Sequence, residues 1–333
     1  EELAGCIHEL AGCEFNIASP QQLAEVLFEK LELPRGRRTK TGWSTSAAVL
    51  ADLAEEHEIV RAVLEFREYA KLKSTYVDAL ARLVDSETRR VHTTFEQTVA
   101  ATGRLSSRNP NLQNIPIRTE WGREIRSCFV SGADDRVLVA ADYSQIELRI
   151  LAHISGDEQL VSAFEAGEDI HVRTASAVFD VGPEEVTKEM RSRAKTINYA
   201  VIYGMGATAL GQQLGIARAE AARFIEGYFA QLPGVRKYTE EIVQVAREQG
   251  FVSTLMGRKR PIPDIGSSDR RASAYAERAA GNTPIQGSAA DIIKLAMLRL
   301  APRLAEESAD AQMLLQVHDE LVVEAPEGET DQV

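Results

Sequence analysis

Four side chains recur at an interval of four: Arg191, Lys195, Tyr199 and Tyr203. On a helix of about 3.6 residues per turn each lands about 40° past the last, so the four form one slanted ridge about 18 Å long. Two cations followed by two rings suit a nucleotide laid along the helix, with the cations against a triphosphate and the rings against sugar and base. A solvated Arg/Lys edge running into a buried Tyr pair fits the same spacing. Two aspartates offer a second chemistry. Asp142 closes the apolar run 136–141, and Asp319 sits in a tight turn between the apolar runs 313–317 and 321–323. Carboxylates beside apolar strands are costly unless a cation joins them. A pair bridging two Mg²⁺ ions would activate an attacking hydroxyl and stabilise a departing pyrophosphate. Aspartate at strand ends and in turns is also ordinary turn chemistry, so neither residue decides the matter alone.

The elements that must position these groups follow from periodicity. Leu23, Val26, Leu27 and Leu31 have helical spacing, which Pro34-Arg35-Gly36 ends, and a second helical stretch covers 47–84. Residues 91–95 have β character and 102–116 form a loop rich in Gly, Pro, Asn and Ser. The run 136–141 predicts a buried strand, 145–153 a helix, and 157–300 helices broken at 182–183, 204–206, 233–234 and 261–263. Residues 313–323 predict strand, turn, strand.

Composition excludes several classes. The chain has 333 residues, 44% hydrophobic and 26% charged, a soluble globular make-up large enough for two or three subdomains. No apolar stretch is long enough for a membrane helix, and the start lacks a basic segment followed by an apolar core. Cys6, Cys13 and Cys128 are odd in number and lack C-x-x-C spacing, which argues against a disulfide framework or a zinc site and fits a reducing compartment. Cys6 and Cys13, seven apart, are expected to pack in the core. The histidines show no H-x-x-x-H pair, so a metal would be carboxylate-bound and hard. The formal charge of −12 is unevenly spread. Residues 301–333 carry nine acidic residues against Arg303 alone, while Arg35, Arg37, Arg38 and Lys40 crowd one loop and Arg258, Lys259, Arg260, Arg270 and Arg271 another. Such clusters are more often solvated loops than binding surfaces.

The same residues carry a family resemblance. Asp142-Tyr143-Ser144-Gln145-Ile146-Glu147-Leu148-Arg149 resembles motif A of the family A DNA polymerases, 191–199 continuing to Tyr203-Gly204 resembles motif B, and Val317-His318-Asp319-Glu320 resembles motif C. Also similar are 102–107, 111–116, and Arg278 through Asn282 to Gln286. These six segments lie in the family's order across nearly the whole chain, an agreement that chance does not produce.

The resemblance implies an α+β right-hand polymerase fold: thumb at 1–90, palm at 91–156 with motif A, fingers at 157–271 with motif B, and a second palm segment at 272–333 with motif C. It implies a chain incomplete at both ends, since relatives extend further. Asp142 and Asp319 would hold two Mg²⁺ ions, for which Mn²⁺ can substitute, with Glu320 assisting. Arg191 and Lys195 would bind the incoming triphosphate, Lys195 also protonating pyrophosphate. Tyr199 would lie against the sugar, Tyr203 near the template base, and Glu147 at the 2′ position to exclude ribonucleotides. His318 would help position the primer end. Tyr199, where many relatives carry Phe, implies ready acceptance of dideoxynucleotides. Arg104, Asn282 and Gln286 match minor-groove contacts, where purine N3 and pyrimidine O2 offer acceptors on every base pair and a donor tests pairing without reading sequence. Arg278, Asn111 and Gln113 are further expected DNA contacts, and Arg35, Arg37, Arg38 and Lys40 would meet backbone phosphates. The implied function is template-directed deoxynucleotide addition in replication and repair, including Okazaki-fragment processing. The implied partners are primer-template DNA and dNTPs, with no membrane, for a bacterial, cytoplasmic, nucleoid-associated monomer. A noncatalytic primer-template binding fragment and a metal-dependent nuclease remain as alternatives, the ridge arguing against the nuclease because hydrolysis needs no grip on a free triphosphate.

Overall fold

The computed structural model describes residues 1–333 except 37, 40, 41, 118 and 309. The expected phosphate contacts Arg37 and Lys40 therefore lie outside the described residues. The chain divides into two compact units, Glu1–His92 with Asn114–Phe129 and Thr93–Gln113 with Val130–Val333. Residues 114–129 thus group with the N-terminal segment rather than with the rest of 91–156.

The first unit contains α1 (Glu2–Ala11), α2 (Pro20–Glu25), a small hairpin of β1 (Arg38–Thr39) and β2 (Gly42–Trp43), α3 (Ala47–Ala54), α4 (Glu58–Leu72), α5 (Asp78–Arg82) and α6 (Glu120–Ser127). Ser19 caps α2 by accepting from Gln22 N–H, and Pro20 occupies the first helical position, where its missing N–H costs nothing. Ile7, Leu23, Leu27, Phe28, Leu50, Val60 and Val63 are fully buried together, at the helical spacing that the sequence predicts. Cys6 is exposed, not in the core: it faces away from its buried neighbour Ile7 on α1.

The second unit holds the paired β3 (Thr94–Glu96) and β4 (Ser106–Arg108), then β5 (Arg136–Asp142) and the helices α7 (Ile146–Ser155), α8 (Glu158–Glu165), α9 (Ile170–Phe179), α10 (Lys188–Ile202), α11 (Ala207–Leu214), α12 (Arg218–Gln231) and α13 (Pro233–Gln249). A hairpin of β6 (Phe251–Ser253) and β7 (Lys259–Pro261) follows, then the long α14 (Arg270–Glu307), β8 (Gln312–Val317) and β9 (Glu320–Pro326). The main sheet is antiparallel in the order β5-β9-β8.

Two sequence expectations need correction. The strand at 136–141 forms, but it is an edge strand with every residue exposed or half-buried, since among the described residues β9 alone pairs with it. The stretch 157–300 is interrupted by the β6–β7 hairpin, whose strands are too short to show a two-residue period and which turns through Gly257 at φ +80°. Elsewhere the helical reading holds. In α14, Pro284 removes a main-chain donor inside the helix, a feature usually costing ~3 kcal/mol. Buried Ala280, Thr283, Ile285 and Ser288 around it supply the packing that keeps the helix continuous.

Candidate nucleotide and metal site

The register of three strands brings the two aspartates together. Val317 pairs with Glu320, leaving His318-Asp319 as the β8–β9 turn, and Asp142 at the end of β5 pairs with Glu320 at the start of β9. Tyr143 N–H donates to Asp319 C=O at 3.1 Å, fastening β5 to the turn. His318 sits at φ +57°, a left-handed conformation costly for a residue with a Cβ. The turn is braced from behind: Gln316 Nε2 donates to His318 C=O, and Gln113 Nε2 donates to Gln316 C=O and Oε1, both at 3.1 Å. Gln113, expected at DNA, thus directs its amide inward, also accepting from Ser107 N–H at 3.2 Å. Asn111 Oδ1 accepts from Gln113 N–H at 2.9 Å, on an exposed residue.

Burial, Asp319 and Glu320 push the Asp142 carboxyl above the usual carboxylate range. Among the described residues neither Asp142 nor Asp319 has an ion-pair partner, so none of those residues compensates the repulsion by a direct ion pair. Among the same residues no three His, Cys, Asp or Glu side chains converge as a complete metal shell. Two close carboxylates without a counter-cation fit a hard divalent ion that draws its other ligands from substrate phosphates and water, as Mg²⁺ commonly does.

The ridge lies on α10. Thr187 caps its start, accepting from Met190 N–H at 3.2 Å, and Gly204 at φ +62° ends it. Ala194, Ile197, Asn198 and Val201 are buried in the core, Tyr199 and Tyr203 are half-buried against it, and Arg191 is half-buried towards the start of the helix. The Tyr199 and Tyr203 rings are stacked at 6.3 Å between centroids and 21° between planes. Burial first, then the carboxylates of Glu147, Asp319 and Asp142, push the Tyr199 hydroxyl above its ordinary range, so the hydroxyl lies within the electrostatic reach of the paired aspartates. Lys195 is exposed.

Sequence reasoning missed the residues that α9 sets against the ridge. Asp169 caps α9 and also accepts from Arg191 Nε at 2.8 Å. Burial pushes its carboxyl up, but Arg191 and the N–H groups of Val172 and His171 outweigh that and hold it below the usual range. His171 is buried, and its ring lies 6.2 Å from that of Tyr199. Its Nδ1 pairs with Asn198 Nδ2 at 3.0 Å, and Thr174 donates to Asn198 Oδ1 at 3.0 Å. Burial lowers its pKa, Asp169 raises it, and Arg191 and Lys195 lower it further, leaving it below the usual histidine range. The aspartate that starts α9 was a legible helix-cap signal, but its contact with Arg191 was not.

Glu147 is the hub of the remaining contacts. It is 6% exposed, accepts from Arg104 Nη2, and accepts from the Tyr203 hydroxyl at 3.0 Å. Burial pushes its carboxyl up against the pull of Arg104 and Tyr203, and the Tyr203 hydroxyl is pushed up to about 12. Asn282 Nδ2 reaches Tyr203 C=O at 3.4 Å, while its buried Oδ1 has no hydrogen-bond partner among the described residues. Gln286 is half-buried and Arg278 exposed, both on α14. In the first unit, Arg35 and Arg38 are exposed and lie over the Trp43 ring at 5.5 and 5.7 Å from its centroid. Arg35 also donates to Phe28 C=O at 3.3 Å, so part of its fork is committed to the fold.

Helices around a small antiparallel sheet are the α+β architecture the sequence resemblance anticipates. The chain belongs to DNA polymerase family A, whose model matches residues 1–333. It is 55% identical over 327 residues to the DNA polymerase I of Geobacillus stearothermophilus, covering 98% of this chain and 37% of that protein. It is 52% identical over 334 residues to that of Deinococcus radiodurans, covering 100% of this chain and 35% of that protein. The POL domain of Pol1 from M. smegmatis, solved in complex with DNA primer-template and dNTP, matches with a TM-score of 0.94 at 48% identity, covering 99% of this chain and 58% of that chain. The chain thus spans little more than a third of the curated relatives it matches. Among the described residues no helix is long and apolar enough to cross a membrane.

Proposed function

We propose that this chain is the nucleotide-adding portion of a template-directed DNA polymerase, extending a primer 3′-OH with deoxynucleotides and releasing pyrophosphate. The observation carrying this reading is the strand register that brings Asp142 beside the Asp319 turn, within electrostatic reach of Tyr199 on a helix that also carries Arg191 and Lys195. In this reading Asp142 and Asp319 hold two Mg²⁺ ions, with Glu320 beside them. When bound, the metal supplies Lewis acidity that eases deprotonation of the primer hydroxyl and offsets charge on the leaving oxygens.

The chain's own groups do the rest. Arg191 and Lys195 grip the triphosphate, Arg191 exchanging Asp169 for phosphate oxygens, and Lys195 delivers a proton to the departing pyrophosphate. Tyr199 lies under the sugar, and Tyr203 marks the edge of the pocket by the template base. Glu147, fixed by Arg104 and Tyr203, closes the space a 2′-hydroxyl would need. His318 helps orient the primer end. Arg104, Asn282 and Gln286 donate into the minor groove, and Arg278 and Asn111 lie along the template path. Gln113 acts indirectly, by bracing the turn. Arg35 and Arg38 follow duplex phosphates, which fixes register without sequence preference. The thumb, palm and fingers segments inferred from the sequence belong to this reading, as do a bacterial, nucleoid-associated monomer and a role in replication and repair, including Okazaki-fragment processing.

Primer extension with Mg²⁺ and all four dNTPs tests the proposal. Single-nucleotide growth of the primer is expected. A mobility shift without growth would mark a noncatalytic binder, and shortening a nuclease; either outcome refutes it.

A further inference from the structure

Arg258 belonged to a basic cluster with no assigned role, yet its guanidinium joins three distant segments. It projects from the turn of the β6–β7 hairpin. Its Nε donates to Asp291 Oδ1 at 2.8 Å, and its Nη2 donates to Thr102 C=O at 2.7 Å and to Gly287 C=O at 3.0 Å. Thr102 lies two residues before Arg104, and Gly287 directly follows Gln286 on α14.

The surroundings are shaped to this fork. A Cβ on Gly103, which sits at φ +81°, would come within 2.4 Å of the guanidinium carbon. A Cβ on Gly287 would meet Thr254 Cγ2 at 2.6 Å and Arg258 Nη2 at 2.9 Å. Both positions therefore exclude any side chain while Arg258 is in place. The hairpin is pinned to α14 at two further points, Leu255 N–H to Ser288 Oγ at 2.9 Å and Arg260 Nη1 to Thr283 Oγ1 at 2.8 Å. Asp291 is 12% exposed and its Oδ2 has no hydrogen-bond partner among the described residues, so its carboxylate relies on Arg258.

We propose that Arg258 is a positioning residue that sets the Arg104 loop and the Asn282–Gln286 face of α14 in one frame, so that their donors meet the minor groove at the primer end together. This rests on the polymerase reading above. Arg104 comes from a loop without regular structure, fixed at its tip by Glu147 and at its base by Arg258. Donors that test base-pair geometry must be placed to within a fraction of an ångström of their acceptors, and such placement comes from the groups behind them. Lysine cannot replace this arginine, because one ammonium on a flexible stem does not reproduce a planar fork to three acceptors.

The test compares extension efficiency, kcat/KM, from a primer ending in guanine with that from one ending in 3-deazaguanine, which lacks the minor-groove N3 acceptor but keeps its pairing edge. Wild type should extend the altered primer about tenfold less well, as loss of a charge-assisted hydrogen bond predicts. In Arg258→Lys the ratio should fall toward one, and Arg258→Lys added to Arg104→Ala should change it no further. Gly103→Ala, whose Cβ would displace the guanidinium, should also reduce the ratio, and serves if Arg258→Lys folds poorly. A merely structural role would lower extension of both primers alike and leave the ratio at its wild-type value in both variants, overturning the inference while the polymerase reading stands. A wild type that extends neither primer would overturn that reading and this inference with it.

Discussion

Glu147→Gln removes one negative charge and almost no volume from the centre of the site. The side chain is 8% exposed, and burial already pushes its carboxyl above the usual range. Two effects oppose each other. Neutralisation weakens the bond from Arg104, a charge-assisted contact of about 1.5–3 kcal/mol when shielded. Arg104 is 37% exposed, however, and water screens part of that. Against this, the amide escapes the desolvation penalty of a buried carboxylate. Its oxygen still accepts from Arg104, and its NH₂ can donate to the Tyr203 hydroxyl, so both contacts persist in neutral form. The expected change in unfolding free energy near pH 8 is within about 1 kcal/mol, or about 2–4 °C in Tm. Glu147→Ala, which leaves two donors unserved beside a cavity, should cost about 3 kcal/mol. The pH dependence has a definite sign. A carboxyl whose folded pKa is raised contributes stability fully present below its unfolded value and lost as pH rises through the folded one. The variant should therefore gain on wild type as pH rises above the ordinary glutamate value, then level off. Chemical denaturation of both proteins across this range measures the gap. A loss above about 3 kcal/mol near pH 8, or a gap moving the other way, would show that the Arg104 pair outweighs burial.

Asp142→Asn relieves the repulsion from Asp319 and Glu320, so without divalent cations the variant should melt about 1–2 °C higher while primer extension falls about a thousandfold or more. A lower Tm would contradict that repulsion. Asn198→Ala, at a fully buried position, strips partners from Thr174 and His171 and should cost about 2–3 kcal/mol, measured by urea unfolding. Tyr199→Phe removes a hydroxyl that has no hydrogen bond among the described residues. It should raise discrimination against dideoxynucleotides about tenfold in competition assays, and unchanged selectivity would contradict the sugar contact proposed for that ring.

The ridge was legible because its four members share one helix, where spacing alone fixes direction. Asp142 and Asp319 were legible as strand-end and turn residues, but their adjacency needed the register Asp142 to Glu320, which periodicity does not supply. Asp169 escaped notice because its partner Arg191 lies on another helix and the contact arises only when α9 packs on α10. Gln113 was expected at DNA because its segment resembles the family's. Its actual partner is Gln316, 203 residues away, and no local pattern announces such a pairing. The basic cluster at 258–271 shows the same limit. Composition cannot separate Arg258, whose Nε and Nη2 are held by a carboxylate and two carbonyls, from the exposed Arg270 and Arg271 beside it.

The pairing of β5 with β9 gives Asp142 and Asp319 a spacing dictated by main-chain ladders rather than by the side chains along them. Replacing Leu138 or Val139 with other strand-forming residues should leave that spacing untouched. Deleting a single residue from either strand would turn an acid to the opposite face. Directed evolution of this segment should accordingly tolerate substitutions freely and reject almost every one-codon insertion or deletion.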